Sequence, residues 1–316
     1  MKFRVLTTVA LAVASFTLVP ATQAQLGDLG RALGQAAGGL GSLTRGTPPV
    51  STSIRDARWA DPSRDGFTPP GRAMPLERLP RTPEGGFTLA AGYYVFDGQS
   101  YCLHAGTHGP GGGDGYLYAP VLGSRQEVVT TILRNSVANP DIPQHQVQQL
   151  LWAIVARARL DQLRPDIRAA AGRLMSPQQF TAMNRNALAT LTANQLQGLV
   201  RLPGPVQSVL RAESDLRGML TTGAGSYADM ERVAVLSGAV ERGEGSIDTP
   251  SGRWSAHPDG YWIRYIPSGY SRTRTEIWVE PGSAAVGRVY DPAQHIAVPG
   301  NTNRQRLAQS GRIYSQ

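Results

Sequence analysis

Cys102 is the only cysteine in the 316-residue chain. A lone thiol has four fates: free, buried, paired with another chain, or chemically modified. One modification needs a carboxamide. A thiol that attacks a glutamine side chain expels ammonia and leaves an internal Cys–Gln thioester. Such a bond persists only where water is kept off it, and it can later pass its acyl group to an amine or hydroxyl of a target. The chemistry asks for a cysteine on a strand, a glutamine at the edge of an apolar helix face, and a bulky apolar shield. Cys102, Gln148 and Trp152 have these characters: Gln148 lies one helical turn before Trp152, and Leu151 and Val155 share their side.

The same thiol admits a hydrolytic reading. A catalytic cysteine needs a base to take its proton, and His257, in Ser-Ala-His-Pro-Asp-Gly, is the candidate. Against it, no Cys-centred peptidase motif surrounds Cys102, and the residue does not open a helix, where the dipole favours thiolate. The plainest alternative is a buried free cysteine in a non-catalytic structural or envelope protein, since cysteine is among the most often buried residue types. Enzymatic activity is left open, and the balance favours interaction over turnover.

Other motifs carry less. The glycine-rich stretch 106–115 lacks the Gly-Lys-Ser/Thr ending of a phosphate-cradling loop and the spacing of a dinucleotide fingerprint. The histidines are His104, His108, His145, His257 and His295, with no Cys-x-x-Cys or His-Glu-x-x-His spacing. No metal and no cofactor are expected.

The elements that must position Cys102 and Gln148 read as follows. FTLAAGYYVFDGQSYCL reads as two short strands with Asp97-Gly98 as the hairpin turn. Residues 143–160 form the clearest helix, with Val147, Leu150, Leu151, Ile154 and Val155 on one stripe. Further helices are expected over 127–137, 164–174, 176–183, 205–220 and 227–237, with Ser176-Pro177 as an N-cap and first helical position. After about Gly243 the pattern returns to strands, with a hairpin around Asp259-Gly260. Tyr261, Ile263 and Tyr265 share one side there, and Trp262 and Arg264 the other. The tail from Val298 to Gln316 is polar and is expected over the surface. The fold class is α+β, a helical middle region flanked by short antiparallel strands and hairpins.

With the elements placed, a resemblance emerges. Tyr101-Cys102-Leu103 and Gln148-Gln149-Leu150-Leu151-Trp152 resemble the two signatures of bacterial surface thioester domains, a Tyr-Cys strand motif and a later Thr-Gln-x-Ala-Ile-Trp helix motif. The resemblance covers roughly residues 92–156. It implies that Cys102 and Gln148 are the bond-forming pair, that Trp152 is the family's tryptophan, and that the domain bonds covalently to molecules at a host surface. Val147 stands where the family has threonine, Leu150 and Leu151 replace Ala-Ile, and no sortase-type anchor signal follows.

Residues 1–24 read as a cleavable signal peptide: Lys2 and Arg4, an apolar run from Val5 to Val19, then small residues up to Ala24. That run is short of the ~20 residues a membrane span needs. The expected destination is the periplasm, the cell surface or the medium. Residues 25–85, with LGDLGRALGQAAGGLGSL and a Pro/Arg-rich stretch, are expected to be a Gly/Pro-rich disordered leader. Residues 86–240 then form the body, and 241–316 a small β-rich region with a polar tail. The formal charge of +8 comes from scattered arginines without a basic block, which makes nucleic acid an unlikely partner and leaves a protein or glycan target. Lys2 is the only lysine, so the cleaved chain would carry no lysine to attack its own thioester.

Overall fold

The computed structural model describes residues 48–50, 53–111, 113–188 and 204–315. The expected signal peptide, 1–24, and the opening of the leader lie outside the described residues. In chain order come β1 (Met74–Pro75), β2 (Phe87–Thr88), β3 (Gly92–Cys102), β4 (Thr107–His108) and β5 (Tyr116–Pro120). Next are α1 (Gln126–Ala138), α2 (Gln144–Val155), α3 (Pro165–Leu174), α4 (Pro177–Arg185), α5 (Gly204–Thr222) and α6 (Tyr227–Ala234). They are followed by β6 (Val235–Leu236), β7 (Ser255–Ala256), β8 (Trp262–Pro267), β9 (Arg272–Val279), β10 (Val289–Tyr290), β11 (His295–Pro299) and β12 (Leu307–Ile313). The class is mixed α+β.

Six strands close on themselves. β3 pairs antiparallel with β9 on one edge and β12 on the other. β12 then pairs with β11, β11 with β5, β5 with β8, and β8 with β9, all antiparallel. Closure leaves no free long edge, which is how a small antiparallel sheet avoids pairing with other chains. Strand alternation sends Tyr94, Phe96, Ser100 and Cys102 to one face of β3, together with Ile277 and Thr275 from β9 and Ile263 and Tyr265 from β8. All of these are buried. The opposite face of β8 and β9 carries Trp262, Trp278 and Arg264, as the alternation predicts.

Three expectations are corrected. Asp97-Gly98 is no hairpin turn: β3 runs straight through it for eleven residues. Gly98 is there because a Cβ would stand 2.5 Å from the Phe96 ring. The tail is no surface strap either. β12 is a barrel strand between β3 and β11, and Leu307, Ala308, Gln309 and Ser310 are all buried. It reads as polar because its buried Gln309 and Ser310 bond to the carbonyls of Leu307 and Gln99, so hydropathy alone misplaces it.

The leader is the third. Thr47 to Gln316 form one compact unit, so neither the expected spacer ending at 85 nor a boundary at 240 separates parts of the body. Val50, Ala57 and Leu76 are buried, and β1 pairs in parallel with β3. The ring of Phe67 lies 4.8 Å from that of Trp278, with the Arg64 guanidinium 4.4 Å from the Trp262 ring. Arginines that look like solvated loop are partly stacked on aromatic rings, a contact worth about 0.5–1 kcal/mol when exposed.

The helices follow their apolar stripes, and Ser176 closes a full capping box with Gln179. Where β12 crosses the 85–86 turn the backbones almost touch: a Cβ on Gly311 would lie 2.3 Å from the Gly85 carbonyl oxygen. Gly311→Ala is therefore expected to destabilise the protein by about 1–3 kcal/mol, read as a lower urea midpoint at unchanged m-value. An unchanged midpoint would contradict this packing.

Candidate functional site

The site begins where β9 runs out. Ladder pairing between β3 and β9 ends at Gln99 and Arg272, with one further bond from the Ser100 N–H to the Ser271 carbonyl, 3.0 Å. Beyond it, the Ser100 carbonyl and both backbone groups of Cys102 point along an edge with no strand beside it. Buried backbone groups left without partners cost about 1–3 kcal/mol each, so something must take the place of β9.

Helix α2 does so with two glutamines one turn apart. Gln144 donates from Nε2 to the carbonyls of Ser100, 3.2 Å, and Ser271, 2.6 Å. Gln148 makes a reciprocal pair with Cys102: the Cys102 N–H donates to Gln148 Oε1 at 2.8 Å, and Gln148 Nε2 donates to the Cys102 carbonyl at 3.0 Å. The side-chain amide thus imitates the next residue of a strand. Sequence reasoning placed Gln148 and Cys102 together but expected the carboxamide to meet the thiol. The carboxamide is held instead by the backbone on both sides of the Cα that carries the thiol.

The surroundings are dry. Cys102 is 0 % exposed and Gln148 and Trp152 are each 1 % exposed. Trp152 stacks on Tyr227 with ring centroids 5.6 Å apart. Tyr227 shares a hydrogen bond with Tyr270, 2.9 Å, and Tyr270 donates to the Glu231 carboxylate. Burial pushes the Cys102 thiol well above its ordinary pKa, and the Glu231 charge adds to the shift. The resting thiol is therefore protonated and a poor nucleophile in water-exposed terms. Two buried donors of this region, Trp152 Nε1 and Tyr116 Oη, have no hydrogen-bond partner among the described residues.

The polarity of the Gln148 pair matters chemically. A donor 2.8 Å from a carbonyl oxygen, in a buried site, stabilises negative charge that develops on that oxygen during attack on the carbon. The Cys102 N–H holds that position on the Gln148 carbonyl, and Nε2 is fixed by the Cys102 carbonyl.

His257 belongs to a different cluster. Its Nδ1 accepts from the Asp259 N–H at 3.1 Å, its Nε2 faces His295 Nε2 at 3.2 Å, and its ring stacks on Tyr261. Burial and the neighbouring His295 hold its pKa down at about 2. With both ring nitrogens engaged there, His257 is not placed as the proton acceptor of Cys102. His104, two residues beyond the cysteine, is half-buried, and its desolvation together with the Arg306 charge lowers its pKa to about 3. Sequence spacing gave no sign of the Glu231–Tyr270–Tyr227 chain, because its members lie on α6 and on the β8–β9 turn.

The glycine loop is pinned from β12's approach. Arg304 pairs with the Asp114 carboxylate and donates to the Gly109 carbonyl at 2.6 Å. It also lies so close to Gly111 that a Cβ there would meet its guanidinium at 2.5 Å. The loop and Tyr116 line a cavity of about 260 Å³ with Ser251, Ile266, Pro267 and Gly269. Compared with protein-family models, with curated proteins and with solved structures, the chain matches none of them. Among the described residues no helix is long and apolar enough to cross a membrane.

Proposed function

We propose that this is an exported binding protein whose Cys102 and Gln148 condense into a shielded internal thioester for covalent attachment to a target. In the forming step the Cys102 sulfur bonds to the Gln148 carboxamide carbon and the C–N bond breaks. The thiol proton leaves with the amide nitrogen as ammonia. The observation that carries the reading is the reciprocal Gln148–Cys102 pair in a site closed to water. It brings the carboxamide to the cysteine, polarises its carbonyl, and excludes the hydrolysis that would destroy the product. In the discharging step an amine or hydroxyl of the target adds to the same carbon, and the departing sulfur takes its proton to regenerate the thiol. The acyl group then links Gln148 to the target. Export is the role of residues 1–24, and Trp152 acts as the water shield.

Trapping with a small primary amine tests this. Incubation with methylamine is expected to convert Gln148 to its N-methylamide and to release one titratable thiol at Cys102, both absent in Cys102→Ala. Failure to label Gln148 in a protein of native fold would contradict the proposal.

The glycine loop sets access in this reading. Arg304→Ala removes the guanidinium that holds Gly109 and Asp114, so methylamine labelling is expected to accelerate by about tenfold or more, the equivalent of ~1.4 kcal/mol of barrier. Equal labelling rates in the two proteins would remove the loop from the access route.

A further inference from the structure

At the β7–β8 hairpin, three atoms meet in a way that hydrogen bonding alone serves poorly. His295 Nδ1 lies 2.7 Å from the Asp291 carbonyl oxygen. A carbonyl only accepts, so the proton sits on Nδ1 and Nε2 offers one lone pair. His257 Nδ1 accepts the Asp259 N–H, which puts its proton on Nε2, aimed at His295 Nε2 from 3.2 Å. The Tyr261 hydroxyl lies 3.0 Å from the same His295 Nε2. Two donors thus converge on a single in-plane lone pair. A cation set among the three atoms would use all three lone pairs at once.

From this convergence we propose that His257 Nε2, His295 Nε2 and Tyr261 Oη bind a divalent first-row transition-metal ion of the zinc or copper class. Tetrahedral ligands about 2.0–2.1 Å from zinc stand ~3.3 Å from one another, so the two separations from His295 Nε2, 3.0 Å to Tyr261 Oη and 3.2 Å to His257 Nε2, need only small movements. Imidazole nitrogen suits this class of metal. The outer contacts fit as well. The bond from His295 Nδ1 to a backbone carbonyl is the kind that orients a metal-bound histidine. Binding requires the Nε2 proton of His257 to move to Nδ1, where the Asp259 carboxylate, 3.7 Å away, takes the place of the Asp259 N–H as its partner, and the Tyr261 hydroxyl to release its proton to solvent. His295 and Tyr261 are 4 % and 2 % exposed, while the His257 side chain, at 9 %, leaves a narrow opening for water as fourth ligand. The described residues hold no cluster of three or more His, Cys, Asp or Glu suited to a metal. The third donor here is a phenol, which a search for metal-ligand spacings in the sequence does not find. The site shares no residue with the Cys102–Gln148 pair.

The test is a titration of the full chain, stripped with chelator, with Co²⁺ followed by its visible absorption and with Zn²⁺ by calorimetry. One equivalent is expected to bind, with tetrahedral-type Co²⁺ bands and a raised melting temperature, and to bind equally to Cys102→Ala. His257→Phe keeps the ring stacking and Tyr261→Phe removes only the hydroxyl; each is expected to weaken binding by at least about tenfold. His145→Phe, outside the cluster, is expected to bind as wild type. No stoichiometric binding by wild type, or unchanged affinity in His257→Phe and Tyr261→Phe, would overturn the proposal.

Discussion

Trp152→Ala is expected to lower stability by about 3–5 kcal/mol, the usual cost of removing a buried aromatic side chain. Its larger consequence is chemical. Trp152 lies one turn beyond Gln148 on α2 and stacks on Tyr227, so its removal leaves a void beside the carboxamide with one polar wall, the Tyr227–Tyr270–Glu231 chain. A polar-walled void of that size fills with water. Hydrolysis of the proposed thioester is then expected to rise by at least about tenfold, leaving a glutamate at 148 and a free thiol at 102. Liquid chromatography and mass spectrometry of the stored protein read both changes. Trp152→Phe separates packing from shielding: it is expected to recover most of the stability and most of the thioester lifetime. A Trp152→Ala protein that keeps its thioester as long as wild type would remove the tryptophan from the shield.

The second large effect comes from Gln148→Glu. In the native pair one atom of the carboxamide accepts and the other donates. A carboxylate still accepts the Cys102 N–H, but its second oxygen faces the Cys102 carbonyl, acceptor against acceptor, in a site buried from solvent. The variant relieves the conflict by staying protonated, so its folded pKa lies above the ~4.3 of an ordinary glutamate. A raised folded pKa gives stability that is fully present below the unfolded value and is lost as pH rises through the folded one. Gln148→Glu is therefore expected to melt several degrees lower at pH 8 than at pH 5. Gln148→Ala has no group to titrate and is expected to lose about 2–6 kcal/mol at both pH values relative to Cys102→Ala, which keeps the carboxamide, because two backbone groups lose their partners. If Gln148→Glu were equally stable at both pH values, the reciprocal pair would not be the contact that closes this edge of the barrel.

What could be read in the sequence follows from what each residue type reveals. The α2 stripe was legible because Val147, Leu150, Leu151, Ile154 and Val155 repeat at helical spacing, and that periodicity sufficed to set Gln148 one turn from Trp152. The meeting of Gln148 with Cys102 was legible through residue chemistry. Its form was not: a glutamine completing a strand edge depends on where β9 stops, and nothing local to Gln148 records that. Asp97-Gly98 has the composition of a turn, yet Gly98 answers to the Phe96 ring beside it. β12 and the segment before residue 85 were hidden for a related reason. Their polar and arginine side chains are satisfied by distant partners, such as the Gln99 carbonyl and the Trp262 ring, which local composition does not display. The histidine cluster escaped notice because His257, Tyr261 and His295 come together only when β7, β8 and β11 take their places around the barrel.

The proposed function rests on a bond between the Cys102 sulfur and the Gln148 carbon. The intact mass of the purified, cleaved protein, taken under non-reducing and amine-free conditions, tests that bond most directly. After allowance for the substituted side chain, wild type is expected to be lighter than Cys102→Ala by one ammonia, because cyclisation of Gln25, which follows Ala24, removes an ammonia from both proteins alike. A wild-type protein without that difference, with its thiol released to alkylating reagents only on unfolding, would contradict the thioester and leave Gln148 as a structural cap on the end of β3.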